Sequence, residues 1–464
     1  MTVLEEAPAE VPAPNSAASL AALARSRQAQ GDDKGAIASY TEALRLNPAL
    51  HDAGRNLAML LVQSGRGSES LKLWQTEMRL PEGESWFDHL ISTTMREGKL
   101  SLAGEYASIF AALRWGSRWY PGPQADVDLP VPPEPPDASL SLPKLRHDID
   151  QMQRLQREGI LDAAFTPVIA AYQQTAARLA ALGPDARMPL DEETRAGIGH
   201  VFNRIIHVRD TPRVSRALSA SWDPGLAERN FLEEPPGIAV IDDFLSPEAL
   251  DGLQRFCLES TIWSSSRHPH GRIGSQFQNG FTCPLLMQVA EELRDALPQV
   301  IGRQYPLRHA WGYKSPWRLP GDATIHADFA AVNVNFWITP DKANLDPESG
   351  GLVIYGVDAP SHWNFLMYNA RLDEMIKPFL QRQQARAIKV PYRCNRAILF
   401  NSDLFHGTDE VNFRPGYENQ RINITLLYGD REDDVHHPGL ARPEMTPALA
   451  PGARAWRSAA FRRG

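Results

Sequence analysis

The feature that most restricts the fold is a proline-dense stretch between two dissimilar parts of the chain. From Tyr120 to Leu142 the sequence reads Tyr-Pro-Gly-Pro-Gln-Ala and then Leu129-Pro-Val-Pro-Pro-Glu-Pro-Pro. Proline lacks a backbone donor and fixes φ, so neither a helix nor a central strand can run through such a stretch. It predicts an extended, semi-rigid linker. Before it, apolar residues recur at helical spacing; well after it, short apolar runs bounded by glycine and proline predict strands. The 464 residues divide accordingly into a disordered tail (1–18), a helical part (19–119), the linker (120–142), a helical bridge (143–235), a β-rich part (236–431) and a C-terminal tail (432–464). The expected class is multidomain α + β, ending in a jelly roll, that is, a double-stranded β-helix.

The helical part carries an internal repeat. Leu23-Ala24, Gly31, Ala36, Tyr40, Ala43 and Pro48 align with Leu57-Ala58, Gly65, Ser70, Trp74, Glu77 and Pro81 at a period of 34, slipping by one at the last pair. A weaker third copy runs through Trp86, Leu90, Met95, Gly98, Ala103 and Tyr106. Period and positions resemble the tetratricopeptide repeat, in which small residues let helices approach and aromatics fill the gap between them. That resemblance implies a concave surface for a peptide or partner protein, or self-association. Plain alanine-rich hairpins are the alternative. Later helices are expected to cap the stack, because each repeat exposes an apolar face until a neighbour covers it. In the bridge, Leu145, Ile149, Met152 and Leu155 predict one helix and 167–182 a second, with short helices near 192–206 and 213–219.

In the β-rich part, strands are expected at 310–314, 324–328, 332–339, 351–355, 387–390, 397–400 and 421–428. The Ser/Gly/Arg/His-rich segment 264–284 is long for a bare connection and is expected to be a mobile loop. His268 and His270 within it are read as solvated. An insertion between Val357 and Arg386 carries Trp363, Phe365, Met367 and Tyr368, expected to pack its helix down rather than to line a pocket.

Within this frame stands Ile325-His326-Ala327-Asp328, the only His-x-Asp among the thirteen histidines. On a strand, side chains two residues apart leave the same face, so His326 and Asp328 can grip one ion. A second imidazole, His406, follows the apolar run 397–400. Two imidazoles and one carboxylate with open positions form the facial triad that suits non-haem Fe(II). Arg421 opens an alternating strand and offers a permanently charged fork suited to a carboxylate.

His-x-Asp, a distant His, then Arg together resemble the Fe(II)/2-oxoglutarate-dependent dioxygenase superfamily over about 236–431. The resemblance implies a metal triad of His326, Asp328 and His406, and Arg421 as the anchor for the co-substrate. It further implies a co-substrate role for Asn423, through an Arg-x-Asn arrangement found in the dealkylase branch, and for Tyr313 on an upstream strand. Fe(II) is then the cofactor, with 2-oxoglutarate and O2 as co-substrates. A carboxylate at Asp328 separates the chain from the superfamily's halogenases, which carry a small residue there. The repeats suggest hydroxylation of a protein or peptide side chain. A small-molecule oxygenase whose repeats serve assembly, and a non-catalytic repeat scaffold, are the alternatives.

Composition bounds these readings. Net charge of −8 gives no general attraction for phosphate backbones, which disfavours nucleic acid. No apolar run is long enough to span a membrane, and Glu5, Glu6 and Glu10 oppose a basic leader. Cys257, Cys283 and Cys394 are too few and too spread for a disulfide framework or a zinc site, so a cytoplasmic protein is expected. His436-His437 in the tail is read as a solvated pair.

Overall fold

The computed structural model describes residues 15–77, 84–116, 139–266, 269–321 and 324–431. The sequence expectations for the 1–18 tail (up to residue 14), most of the proline-dense linker, His268 and His436-His437 lie outside them.

Six helices come first, in three pairs: α1 (Ala17–Ala29) with α2 (Asp33–Leu46), α3 (His51–Gln63) with α4 (Gly67–Glu77), and α5 (Glu84–Arg96) with α6 (Leu100–Trp115). Each pair is turned by a glycine at positive φ, Gly31, Gly65 and Gly98 at 78°, 73° and 76°, a conformation that costs a side chain strain. The small and aromatic residues of the period are buried: Ala24, Ala36, Tyr40 and Ala43, then Ala58, Ser70 and Trp74, then Ala103 and Tyr106. These pairs are not a free-standing arm. Helices α3 to α6 share one hydrophobic core with the β-rich part.

After β1 (Ser139–Ser141) come α7 (Leu142–Arg157) and α8 (Phe165–Leu182), β2 (Arg187–Pro189) pairing with β1, and α9 (Glu192–Ile198). They have a core of their own around Leu145, Met152, Phe165 and Tyr172. The helix expected at 213–219 does not form. The backbone N–H groups of Ala217 and Leu218 donate to the Glu292 carboxylate instead, and Leu218 bridges to Leu245. A helix lies further on, α10 (Pro224–Glu233), capped by Asp223 and opened by Pro224.

The β-rich part contains β3 (Ile238–Ile241), α11 (Pro247–Glu259), β4 (Ile273–Gln276), α12 (Pro284–Ala296), β5 (Leu307–Lys314), β6 (Arg318–Leu319), β7 (Val332–Trp337) and β8 (Leu352–Asp358). Then follow α13 (Phe365–Asn369), α14 (Lys377–Arg382), β9 (Ala387–Val390), β10 (Ala397–Asn401), β11 (Leu404–Thr408), β12 (Val411–Asn412) and β13 (Ile422–Tyr428). An antiparallel six-stranded sheet has the order β3-β10-β7-β13-β5-β4, and a three-stranded sheet the order β11-β8-β9. Trp337, Ile398 and Phe400 of the first pack on Leu352, Ile354 and Leu404 of the second, so the two sheets face each other. This arrangement is consistent with a jelly roll.

Alternation assigns the two faces of the large sheet. Ile422, Ile424 and Leu426 of β13, with Val334 and Phe336 of β7, face the helices, where Phe256 of α11 and Leu286 of α12 meet them. The register pairs Asn423 with Trp337 and Tyr313, Thr425 with Asn335 and Trp311, and Leu427 with Asn333 and His309, so these point the other way, towards the small sheet. Segment 264–284 is not one bare loop, because β4 within it pairs with β5 along its whole length. Among the described residues no helix is long and apolar enough to cross a membrane.

Candidate metal centre

The site lies at the end of the sandwich where β7, β10 and β11 come together with the run before β7. That run, expected as a strand, forms only a bridge: His326 N–H donates to His406 O at 2.9 Å, and His406 N–H returns to His326 O at 2.8 Å. Asp328 N–H donates to Ser402 O at 3.1 Å. Two histidines eighty residues apart in the chain are thus paired backbone to backbone. His406 sits not on β10 but on β11, in the opposite sheet, after a two-residue link.

The structure brings His326, Asp328 and His406 together, with one possible ligand atom from each within 4.8 Å of the others. His326 Nε2 is 3.6 Å from Asp328 Oδ1, and His406 Nε2 is 3.4 Å from Asp328 Oδ2. Each Nδ1 faces a carbonyl, Thr324 O at 2.6 Å and Leu404 O at 3.0 Å. A carbonyl only accepts, so Nδ1 carries the hydrogen and the Nε2 lone pairs point to the centre, the tautomer a metal ligand needs. The Asp328 Oδ2 accepts from Asn333 Nδ2 at 2.6 Å.

The electrostatics agree with a ligand set. Burial, and after it the neighbouring His406, push the His326 imidazolium pKa down to about 4, so His326 is neutral near pH 7. For Asp328, burial acts upward, but the adjoining His406 and His326 rings and the hydrogen bond from the Asn333 amide outweigh it, holding the carboxyl below its ordinary range. Of the three side chains only His326 has appreciable exposure, 26% against 4% for each of the others. Access to the centre is therefore over His326.

From Asp328 a polar ladder runs along the inner face. Asn333 Oδ1 accepts from Asn335 Nδ2, Asn335 Oδ1 accepts from Asn423 Nδ2 at 2.8 Å and from Thr425 Oγ1 at 2.7 Å, and Asn423 Oδ1 accepts from Trp337 Nε1 at 2.8 Å. Buried polar groups need such partners, and here each holds the next. The Arg421 guanidinium lies 5.2 Å from the Trp337 ring centroid and 6.0 Å from that of Tyr392. Its Nε and Nη2 donate to Gly350 O and Gly351 O, and burial lowers its pKa to about 10, still charged at neutral pH.

Arg421 is therefore buried on the inner face with its fork fixed by two carbonyls. Asn423, predicted to touch a co-substrate, has its amide committed within the ladder. Tyr313 lies across from Asn423, and burial pushes its phenol up to about 12. His270 is exposed, with φ of 61°. The insertion's Trp363 and Tyr368 are buried; Trp363 packs on Phe379 and Phe405, and Tyr368 O accepts from Ala327 N–H. The insertion thereby braces the His-x-Asp run.

Sequence reasoning missed Asn333, Asn335, His309 and Arg272. The two asparagines had a signal, since Val332-Asn333-Val334-Asn335 alternates polar and apolar on one strand. His309, buried with its pKa pushed down to about 4, lies on the inner face close enough for Asp328 to act on it. Arg272 stood in a segment read as loop.

No family model matches the sequence, and no curated protein is significantly similar to it. Solved structures are similar to part of it. The non-haem α-ketoglutarate-dependent carbocyclase SnoK from nogalamycin biosynthesis is 13% identical, covering 50% of this chain and 94% of its own, with a TM-score of 0.33. HygX from Streptomyces hygroscopicus, with nickel and 2-oxoglutarate bound, is 15% identical, covering 44% of this chain and 85% of its own, with a TM-score of 0.30. EctD from S. alaskensis with bound Fe is 16% identical, covering 48% of this chain and 84% of its own, also at a TM-score of 0.30. At these values the likenesses do not assign the chain to a family.

Proposed function

We propose that this protein is an Fe(II)- and 2-oxoglutarate-dependent oxygenase. The observation that carries the reading is the convergence of His326, Asp328 and His406, with both Nδ1 atoms tied to carbonyls and both Nε2 atoms free to ligate. The donor set fits Fe(II): two imidazoles and one carboxylate, leaving coordination positions for small ligands. When bound, iron with 2-oxoglutarate and O2 supplies an oxidant strong enough to attack a C–H bond, with succinate and CO2 as co-products.

The chain's own residues supply position and polarity. Asn333 orients the Asp328 carboxylate, and the Phe400 ring, 4.8 Å from that of His406, keeps water from the back of the centre. Arg421 offers its remaining donors to the far carboxylate of 2-oxoglutarate, and the two glycine carbonyls stop the fork from turning away. The Tyr313 phenol, neutral at neutral pH, can donate a hydrogen bond on the same face.

The substrate reading follows the helical pairs. As tetratricopeptide-type repeats they would recruit a protein or peptide for side-chain hydroxylation. A small-molecule substrate, with the pairs serving assembly, is favoured by one observation: α6 is packed into the oxygenase core instead of standing clear of it.

The test is anaerobic calorimetry of Fe(II) and then 2-oxoglutarate, followed by succinate release on admitting O2. Binding of both, slow succinate formation without added substrate, and loss of 2-oxoglutarate affinity by about tenfold or more in Arg421→Gln are expected. Full-length protein that binds neither ligand would leave a non-catalytic scaffold as the reading.

A further inference from the structure

Arg272 is a half-buried cation that the chemistry above does not use. It immediately precedes β4, two residues before Gly274, which pairs with Tyr313; parity therefore directs residue 272 to the inner face. Its guanidinium lies over the Tyr313 ring at 5.1 Å from the centroid. Its Nε is buried without a hydrogen-bond partner, and no acid among the described residues pairs with it. Gly274 makes the arrangement possible, since a Cβ there would meet Tyr313 Cε1 at 2.5 Å. The ring can lie across β4 only because that position has no side chain.

Arg272 lies within electrostatic reach of the triad and of Arg421: its charge acts on both His326 and Arg421. Charge is then out of balance. Among the described residues, Arg272, Arg421 and a divalent metal face a single acid, Asp328, because Asp409, the other carboxylate near Arg421, is paired with Lys389 at 3.2 Å. The excess is three positive charges, and the 2-oxoglutarate dianion removes two of them. An uncompensated charge in a buried site is costly, and a guanidinium prefers a carboxylate. Beside it, Trp311 and Phe329 form an aromatic wall, 6.4 Å between ring centroids, with Phe365 next to Phe329.

We propose that Arg272, seated on the Tyr313 ring, receives a carboxylate of the substrate, so that the molecule oxidised is a monoanionic acid whose apolar body lies along Trp311 and Phe329. The assignment rests on the oxygenase reading, and it names the substrate class that reading left open.

The experiment uses the full-length protein loaded with Mn(II), saturated with 2-oxoglutarate and kept under argon. Phenylacetate and phenylacetamide serve as probes of matched shape, and binding is read by calorimetry. The wild type is expected to bind the acid about tenfold or more tightly than the amide. Arg272→Gln should abolish that preference, Arg272→Lys should keep part of it, and neither should change 2-oxoglutarate affinity by more than about threefold. The lysine variant retains the charge and guards against a folding defect, which thermal melting of both variants would reveal.

A wild type without acid preference, or a preference that survives Arg272→Gln, overturns the assignment. So does a tenfold loss of 2-oxoglutarate affinity in Arg272→Gln, which would make this residue a co-substrate anchor. Failure of the wild type to bind Mn(II) or 2-oxoglutarate, seen before any probe is added, would instead sink the oxygenase reading and the assignment with it.

Discussion

Asn333 is the smallest group on which the metal centre depends. Its amide fixes one oxygen of Asp328 and accepts from Asn335, so it couples the ligand to the ladder that ends at Trp337. Partners of this kind are worth about 10–100-fold in metal affinity. Asn333→Ala should weaken Mn(II) binding by that order in a fluorescence titration, with little change in fold; unaltered affinity would mean that Asp328 needs no orienting group. The grouping of His326, Asp328 and His406 was legible in the sequence, because metal chemistry restricts residue type and strand geometry restricts spacing. Arg272 was not legible, since an isolated arginine among serine, glycine and histidine has the pattern of a solvated loop. Only the pairing of β4 with β5 turns it inward.

At the scale of elements, β4 shows how a local rule can mislead. Segment 264–284 has the composition of a loop, yet one of its glycines is there for packing: Gly274 makes room for Tyr313. Gly274→Ala should therefore cost about 1–3 kcal/mol in urea unfolding, and it should disturb the phenol before it disturbs the sheet. A stability within a few tenths of a kcal/mol of wild type would show that the ring has space elsewhere. β7 and β13 of the large sheet were readable because their two faces differ and impose a period of two, and β10 because it is a short, wholly apolar run. β11 was not, since Leu404-Phe405-His406-Gly407-Thr408 is short and almost wholly buried, without the alternation that marks a half-exposed strand. The absent helix at 213–219 has a cause of the same kind: a distant carboxylate, Glu292, captured its N–H groups.

At the scale of the whole molecule, the proline-dense boundary suggested separable halves, but the halves share a core. Gly104 of α6 is so close to the β-rich part that a Cβ would meet Thr282 Oγ1 at 2.9 Å, and Trp115 donates to Asn279 Oδ1 at 3.0 Å. Deleting residues 1–116 should strip cover from Phe281 and Met287 and yield an aggregating product. A soluble fragment with a cooperative melt would contradict this. Acid should weaken the intact, metal-free fold for a separate reason. Burial pushes His147, His309 and His326 down to about 3, 4 and 4, whereas unfolded histidine titrates near 6.5. The unfolded chain takes up protons first, so stability is full above pH 6.5 and is lost as pH falls towards 4. The loss amounts to at most about 1.4 kcal/mol per pH unit for each group. Denaturant unfolding at pH 7 and pH 5 should show it, and equal stabilities would show that these imidazoles are not held neutral.

The most direct examination of the centre is an anomalous difference map at the iron edge, from crystals grown without oxygen in Fe(II). A single strong peak should appear between His326 Nε2, His406 Nε2 and the Asp328 carboxylate. A map with no peak there, or with iron held by other side chains, would contradict the account.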